Sequence, residues 1–376
     1  MIVKYDELAH LAMRVPLIDL KSQYNKIREE IQLAIDKVLQ SQQFILGREG
    51  IELENEIAAI CGMRFGIGCA SGTDALLLAL LALNVKEGDE IITSSYSFFS
   101  TAGMIAWLKA KPVFVDIDPD TFLLRSEQVA GKITGKTRAI ISVDLFGQCC
   151  PVDQLQELKL PIIEDAAQAI GARRNEQHAG SFGIAGCFSF FPTKNLGAYG
   201  DGGLITTNSE EMNASIRKLR MHGEGKEKYL HEIVGTNSRL DELQAAVLRI
   251  KLKYLNDWNR QRNQNASYYC AHLKDLPIKL PKTESGNFHT YHQFVIRTPR
   301  RDALKSALEA KEIGCGLYYP YPLPLQPCFK DLGYQAADFP GAVEAASQSL
   351  ALPVHPELTQ EQLDFVVGSI RDFFQQ

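Results

Sequence analysis

Residues 65–83 read FGIGCASGTDALLLALLAL. An apolar run, Phe65–Ala70, ends at a turn of small residues, Ser71-Gly72-Thr73, and an apolar helical run, Ala75–Leu83, begins just after it. That order predicts strand, turn and helix. Outward from it the alternation continues. Glu90–Thr93, Pro112–Asp116, Ala139–Leu145, Ile162–Glu164, Cys187–Phe191 and Gly203–Thr206 read as further strands, with helices between them that include Val152–Glu157. Regular alternation of strand and helix predicts an α/β fold with a mostly parallel sheet covered by helices on both faces. Before this region, Ile27, Ile31, Ala34, Ile35, Val38 and Leu39 recur at helical spacing within Gln23–Leu39. After it, Leu240 to Leu273 carries neither Pro nor Gly and reads as one long linking helix. Beyond the prolines of 277–281 the texture changes, and Gln293–Ile296, a helix over Arg301–Lys311, Gly316–Tyr319 and a C-terminal helix predict a smaller α/β domain. We divide the chain into an N-terminal extension at 1–15, a large domain at 16–250, and the smaller C-terminal domain with linking helix at 251–376.

With 376 residues and 45% hydrophobic content, the chain can build one large core and a smaller one. A formal net charge of −5 gives no electrostatic footprint for nucleic acid or an anionic membrane. The densest apolar run, Ala75–Val85, is about half of what a bilayer span needs. The start, MIVKYDELAHLAMRV, carries charges throughout and does not read as a secretory signal. The eight cysteines are scattered, and without a C-x-x-C pair neither structural zinc nor a disulfide framework is expected. A cytoplasmic protein with reduced thiols is the expectation.

Three segments could carry chemistry. Ser71-Gly72-Thr73 opens a helix after a strand, so unpaired N–H groups and the helix dipole favour an anion there; an N-cap without ligand is the alternative. Neither a Walker A loop nor a G-x-G-x-x-G fingerprint is present, which argues against nucleoside triphosphates and NAD. Pro161–Gln168 brings Glu164, Asp165 and Gln168 to the carboxyl end of an apolar strand, where open α/β sheets place ligands. An acid there holds a cation or a metal, or caps the strand end. Ser189–Gly203 sets one lysine, Lys194, among aromatics and four glycines. A desolvated lysine is a nucleophile toward carbonyls; an ordinary loop lysine is the alternative. Together the three supply what pyridoxal 5'-phosphate (PLP) needs: an anion cradle, a carboxylate for the pyridine nitrogen, and an amine for the aldehyde.

The run from Val15 onward resembles the DegT/DnrJ/EryC1/StrS family of PLP-dependent nucleotide-sugar aminotransferases. The motifs that carry the resemblance are CASGTDAL (69–76), PVFVDIDPDTF (112–122), IEDAAQAIGA (163–172), SFFPTKNLGAYGDGG (189–203), NSRLDELQAAVL (237–248) and YPLPLQPCF (321–329). It implies a fold-type-I aminotransferase with Lys194 as the Schiff-base lysine, Asp165 on the pyridine nitrogen and Gln168 on the ring hydroxyl. Gly72, Thr73 and Ser189 are implied to hold the phosphate, and Phe98 to stack on the ring, whereas Phe99 reads as core. Asn237 is implied to reach the phosphate of the other subunit, which makes a homodimer with shared active sites the minimum unit. Arg239 either meets substrate or supports the loop that places Asn237, with support favoured. His231 and Tyr229, like His222 and Lys228, are candidates for substrate contact against an ordinary surface role. Tyr318 stands where many relatives have histidine in His-Tyr-Pro, which leaves that histidine's role open. His289 and His292 read as structural, and no metal is expected. Lys194 occupies the position that is histidine in the family's C3 dehydratases, so transamination is preferred.

The implied reaction moves an amino group from L-glutamate, through the pyridoxamine 5'-phosphate form, to a nucleotide-linked keto sugar. The overall pattern, with LFGQ at 145–148, leans toward C3 of a UDP-2-acetamido-3-keto hexose of lipopolysaccharide or O-antigen. A dTDP-3-keto-6-deoxyhexose or a 4-keto sugar is the alternative, and a PLP-binding regulatory protein without turnover is a further one.

Overall fold

The computed structural model describes residues 13–375. Helix α1 (Leu20–Ser41) starts on Asp19, whose carboxylate accepts the Ser22 N–H at 2.9 Å. It lays Ile27 and Ile31 against Val247, while Leu39, counted among its apolar stripe, is exposed. Helix α2 (Arg48–Cys61), which the periodicity does not single out, has no cap of its own. Instead the buried Glu242 carboxylate accepts the N–H groups of Gly47, Glu49 and Gly50 at 2.8–2.9 Å.

The sheet is built from β1 (Phe65–Cys69), β2 (Glu90–Ser94), β3 (Lys111–Val115), β4 (Thr137–Val143) and β5 (Ile162–Asp165), followed by two-residue pieces β6 (Arg173–Arg174) and β7 (Gln177–His178), then β8 (Ala185–Ser189) and β9 (Gly203–Thr207). The main sheet has seven strands in the order β1-β9-β8-β5-β4-β2-β3. β9 is antiparallel to both β1 and β8, and the other pairings are parallel. Adjacent residues serve opposite faces: Ile92, Ile140 and Leu204 join a core with α2, whereas Ile91, Ile141 and Ile205 join a core with α3 (Gly72–Ala82). Burial on both faces is why these strands read as apolar runs. α4 (Ser100–Trp107) and α5 (Asp153–Glu157) lie in further crossovers, and α6 (Glu210–Leu219) follows the sheet's last strand, β9, and packs on α3.

The segment expected as one linking helix is two: α7 (Glu242–Leu252) and α8 (Leu255–Leu273). α7 packs on α1 and α2, while Ala266, Tyr269 and Leu273 of α8 enter a separate core with Phe294, Leu304 and Ile370. Two partners in different directions override a sequence without a breaker. β10 (Asn287–Phe288) joins β6, and β11 (Phe294–Arg297) pairs antiparallel with β12 (Ser349–Leu352). α9 (Arg301–Ala310), α10 (Pro340–Gln348) and α11 (Gln360–Gln375) pack around that pair. Gly316–Tyr319 forms no strand, only one bridge from Gly316 to Ala351. The N-terminal extension lies outside the described residues up to position 12; Val15, its last position, is fully buried and bridges Ile313. None of the eight cysteines is paired, and no helix among the described residues is long and apolar enough to cross a membrane.

Candidate active site

β1, β4, β5 and β8 all end at the same edge of the sheet, and a cleft of about 550 Å³ opens there. Its lining brings together Gly72, Thr73, Phe98, Asp165, Gln168, Ser189, Lys194 and Tyr318. Residues far apart in sequence therefore meet, as expected for ligands at the carboxyl edge of an open α/β sheet.

One wall is an anion-ready turn. The Ser71 hydroxyl caps α3 by accepting the Asp74 N–H at 3.1 Å, and Gly72 and Thr73, whose N–H groups no helical carbonyl takes up, line the cleft. A Cβ on Gly72 would lie 2.6 Å from the Ser189 Cβ, so only glycine lets α3 start this close to the end of β8. The Ser189 hydroxyl sits beside those amides and accepts the Phe191 N–H at 3.3 Å.

The opposite wall carries charge. Asp165 is buried, which pushes its pKa up; bonds from Thr101 and Ala167 and the nearby Lys194 work against that. The Thr101 hydroxyl donates to Asp165 Oδ2 at 2.7 Å, and Ser97 Oγ lies 2.9 Å from Thr101 Oγ1. Because the Thr101 proton goes to the carboxylate, Ser97 is the donor to Thr101. Neither residue stands out in the sequence; the only hint is their placement around Phe98.

Lys194 sits on the loop after β8. Its side chain is half-buried because the cleft leaves one flank open, but the amine is enclosed, and desolvation lowers its pKa to about 8 against the pull of Asp165. The loop is held from behind. A Cβ on Gly197 would meet the Pro192 carbonyl oxygen at 2.2 Å, and the Gly197 carbonyl accepts from the buried Lys251 amine at 2.6 Å. Lys251 is likewise depressed to about 8 by burial.

Gln168 is oriented at both ends: its Oε1 accepts the Phe146 N–H at 2.9 Å and its Nε2 donates to the Tyr319 hydroxyl at 2.9 Å. Tyr319 is thus a cleft residue that sequence reasoning passed over beside Tyr318. Phe98 is exposed at the mouth, 6.2 Å from the Tyr319 ring. Phe99, expected as core, is instead 44% exposed and stacks on Phe329 outside the cleft, because the chain turns into α4 at that point. Of the two histidines expected to be structural, His289 is: buried, it stacks on Tyr291 at 3.8 Å. His292 lines the cleft.

Four expected residues lie elsewhere. Asn237 and its neighbours close an arm that leaves at Met221 and returns in the bridge Met221–Asn237. Asn237 is exposed, Tyr229 is 78% exposed, and His231 Nδ1 bonds the His222 carbonyl at 3.0 Å. Arg239 is half-buried and contacts Met221 Sδ through Nη1 at 3.9 Å, within the base of the same arm. The arm is moored at Ser238, whose hydroxyl donates to Asp74 Oδ2 at 2.6 Å and accepts the Ala70 N–H at 3.1 Å.

A desolvated amine and a buried carboxylate lining one cleft of this sheet, beside that turn, fit the site of an aminotransferase. The family model described as DegT/DnrJ/EryC1/StrS aminotransferase matches residues 25–371, and the chain belongs to that family. It is 46% identical to the "Pleiotropic regulatory protein" of Geobacillus stearothermophilus over 96% of this chain and 99% of that protein. It is 43% identical to a UDP-N-acetyl-3-dehydro-alpha-D-glucosamine 3-aminotransferase of Acidithiobacillus ferrooxidans, over 95% of this chain and 97% of that one. The crystal structure of S. venezuelae DesV in complex with a ketimine intermediate superposes with a TM-score of 0.94 at 40% identity, covering 96% of this chain and 99% of that chain.

Proposed function

We propose that the protein transfers the amino group of L-glutamate to C3 of a UDP-2-acetamido-3-keto hexose in the cytoplasm, with PLP as cofactor. The observation that carries it is the Lys194 amine, with its pKa near 8, opposite Asp165 and within one cleft of the Gly72–Thr73 turn. The relative that acts on a UDP-linked 3-dehydro amino sugar supports the choice of acceptor.

The residues fit the cofactor. The Gly72 and Thr73 amides and the Ser189 hydroxyl would hold its phosphate. Asp165 would accept from the pyridine N–H, and the second proton on Gln168 Nε2 is free for the ring hydroxyl. Phe98 would cover one ring face, and Lys194 would hold the aldehyde. When bound, the cofactor supplies an electron sink for the pair left when the substrate C–H bond breaks. Lys194 Nζ takes that proton and returns it, since a pKa near 8 leaves a usable fraction of free amine near neutrality. Thr101 keeps the Asp165 carboxylate turned to its partner.

The working unit is a homodimer in which each chain lends Asn237 to its partner's phosphate site. An exposed Asn237 on an arm away from its own cleft is what that arrangement requires. The apolar tip supports it too, with Val234 94% exposed.

The test is a panel of UDP- and dTDP-linked 3-keto and 4-keto sugars offered with L-glutamate, with products followed by mass spectrometry. Turnover only with dTDP-3-keto-6-deoxyhexoses or with 4-keto sugars would move the assignment to those acceptors. The name of the 46% identical relative favours one other reading, a cofactor-binding regulatory protein. A holoprotein whose absorption is unchanged by L-glutamate would establish it.

A further inference from the structure

Tyr319 holds a proton that its own chain leaves unspent. The orientation of the Gln168 amide is fixed, because Oε1 accepts the Phe146 N–H at 2.9 Å and a backbone N–H can only donate. Nε2 is therefore the atom that meets the Tyr319 hydroxyl at 2.9 Å, and it too can only donate. The phenol oxygen is the acceptor of that bond, so its own O–H must point elsewhere. No acceptor takes that O–H among the described residues, and Tyr319 lines the cleft beside Gln168. Burial, opposed by the Gln168 bond, raises the Tyr319 pKa, and Tyr96 and Asp165 add to the rise, so the phenol keeps its proton near neutrality.

The phenol is also held from behind. Tyr96, fully buried just after β2, donates its hydroxyl to the Tyr319 carbonyl at 3.0 Å and accepts the Tyr319 N–H on the same oxygen. One hydroxyl thus fastens both backbone groups of a residue 223 positions away. Tyr319 Oη and Gln168 Nε2 stand 2.9 Å apart at the cleft wall, each with one proton to place. Donors that close together can both reach a single oxygen at ordinary hydrogen-bond length. Two protons converging on one oxygen favour its anionic form.

Resting on the cofactor reading above, we propose that Tyr319 and Gln168 form a two-donor site for one anionic oxygen, the ring oxygen of bound PLP, so that Tyr319 is a cofactor-binding residue in its own right. The charge on that oxygen follows from the ring's chemistry. A pyridine kept protonated by Asp165 withdraws electrons and acidifies the ring hydroxyl. Phe98, which would cover one ring face, lies 6.2 Å from the Tyr319 ring, so both aromatics border the same part of the cleft.

The test compares affinities in full-length protein freed of cofactor, so that no turnover is needed. PLP and its 3-deoxy analogue, which lacks only the ring oxygen, are titrated into wild type and Tyr319→Phe by equilibrium dialysis. Wild type should prefer PLP over the analogue by at least about tenfold. Tyr319→Phe should weaken PLP by about ten- to a hundredfold and the analogue by less than about threefold, since the lost donor has nothing to meet on the analogue. Equal weakening of both ligands would make Tyr319 a merely structural residue and overturn the proposal, as would an unchanged affinity for PLP. If Tyr319→Phe does not fold, the wild-type preference decides alone, and equal affinity for the two ligands overturns the donor pair. Should neither ligand bind the wild type, the cofactor reading itself falls and the donor pair with it, an outcome visible without any variant.

Discussion

The cleft and the arm at 221–237 differ in how their residues are held. Asp165 is fixed by Thr101 and Ala167, Gln168 by Phe146 and Tyr319, and the Lys194 loop by the Lys251 amine on Gly197. The arm is held by Ser238 on Asp74 and Ala70 and by a partly exposed ion pair of Glu232 with Lys218 of α6, while Tyr229, Leu230, Ile233 and Val234 are turned to solvent in the single chain. Groups that must hold reacting atoms to a fraction of an ångström sit where the chain over-determines them. Groups that complete a site from outside can only be ordered by what they dock against. On the proposed dimer, the chemistry is built within one chain and a second chain would cover the arm.

The largest effect should come from the fixed side. Lys194→Ala removes both the amine and the proton carrier, and the half-reaction with L-glutamate should fall by at least about 10³-fold in single-turnover spectra. Wild-type rates in that variant would break the comparison at its root. The arm is tested next by mixing Lys194→Ala chains with Asn237→Ala chains, each inactive or weakened alone. Random pairing makes half the dimers mixed, with one intact site in two, so about a quarter of wild-type activity should return. Absence of recovery, with exchange verified by native mass spectrometry, would place Asn237 outside the shared site.

A smaller effect is expected from Thr101→Val. The Thr101 hydroxyl favours the charged carboxylate against burial, so its loss should raise the Asp165 pKa. The acid limb of kcat/KM should then move to higher pH, with the plateau reached later; an unmoved limb would mean Asp165 does not depend on this bond. The smallest effect belongs to Tyr229→Ala. As an exposed side chain it should change unfolding free energy by no more than about 0.5 kcal/mol, read by urea denaturation, while KM for the sugar nucleotide rises. A large stability loss would show the arm to be packed in its own chain after all.

All seven main strands were legible as apolar runs, because a strand buried on both faces needs no polar alternation to betray it. Their directions were not: β9 reads like its neighbours although it runs the other way, since direction depends on the path of the Lys194 loop between β8 and β9. The break between α7 and α8 was hidden for a similar reason, as Lys253 and Tyr254 are not breakers and only the divergent cores of Val247 and Tyr269 part the two helices. In the cleft, Lys194, Asp165 and the Ser71–Thr73 turn were visible because strand ends and helix starts have sequence signatures. Thr101 and Tyr319 were not, because each acts through a neighbour brought up by the fold, and His292 was not, because a histidine after a tyrosine has no signature that places it in a cleft.

Among the described residues two lysines are depressed to about 8, and they are opposite in fate. Lys194 borders the cleft, whereas Lys251 donates to the Gly197 carbonyl and lies 4.6 Å from the face of the Tyr199 ring, 1% exposed. Burial lowers the basicity of both amines, so basicity is a poor handle for a covalent inhibitor bearing a carbonyl or other electrophile. Its selectivity has to come from shape, from fitting a cleft that one amine borders and the other never sees.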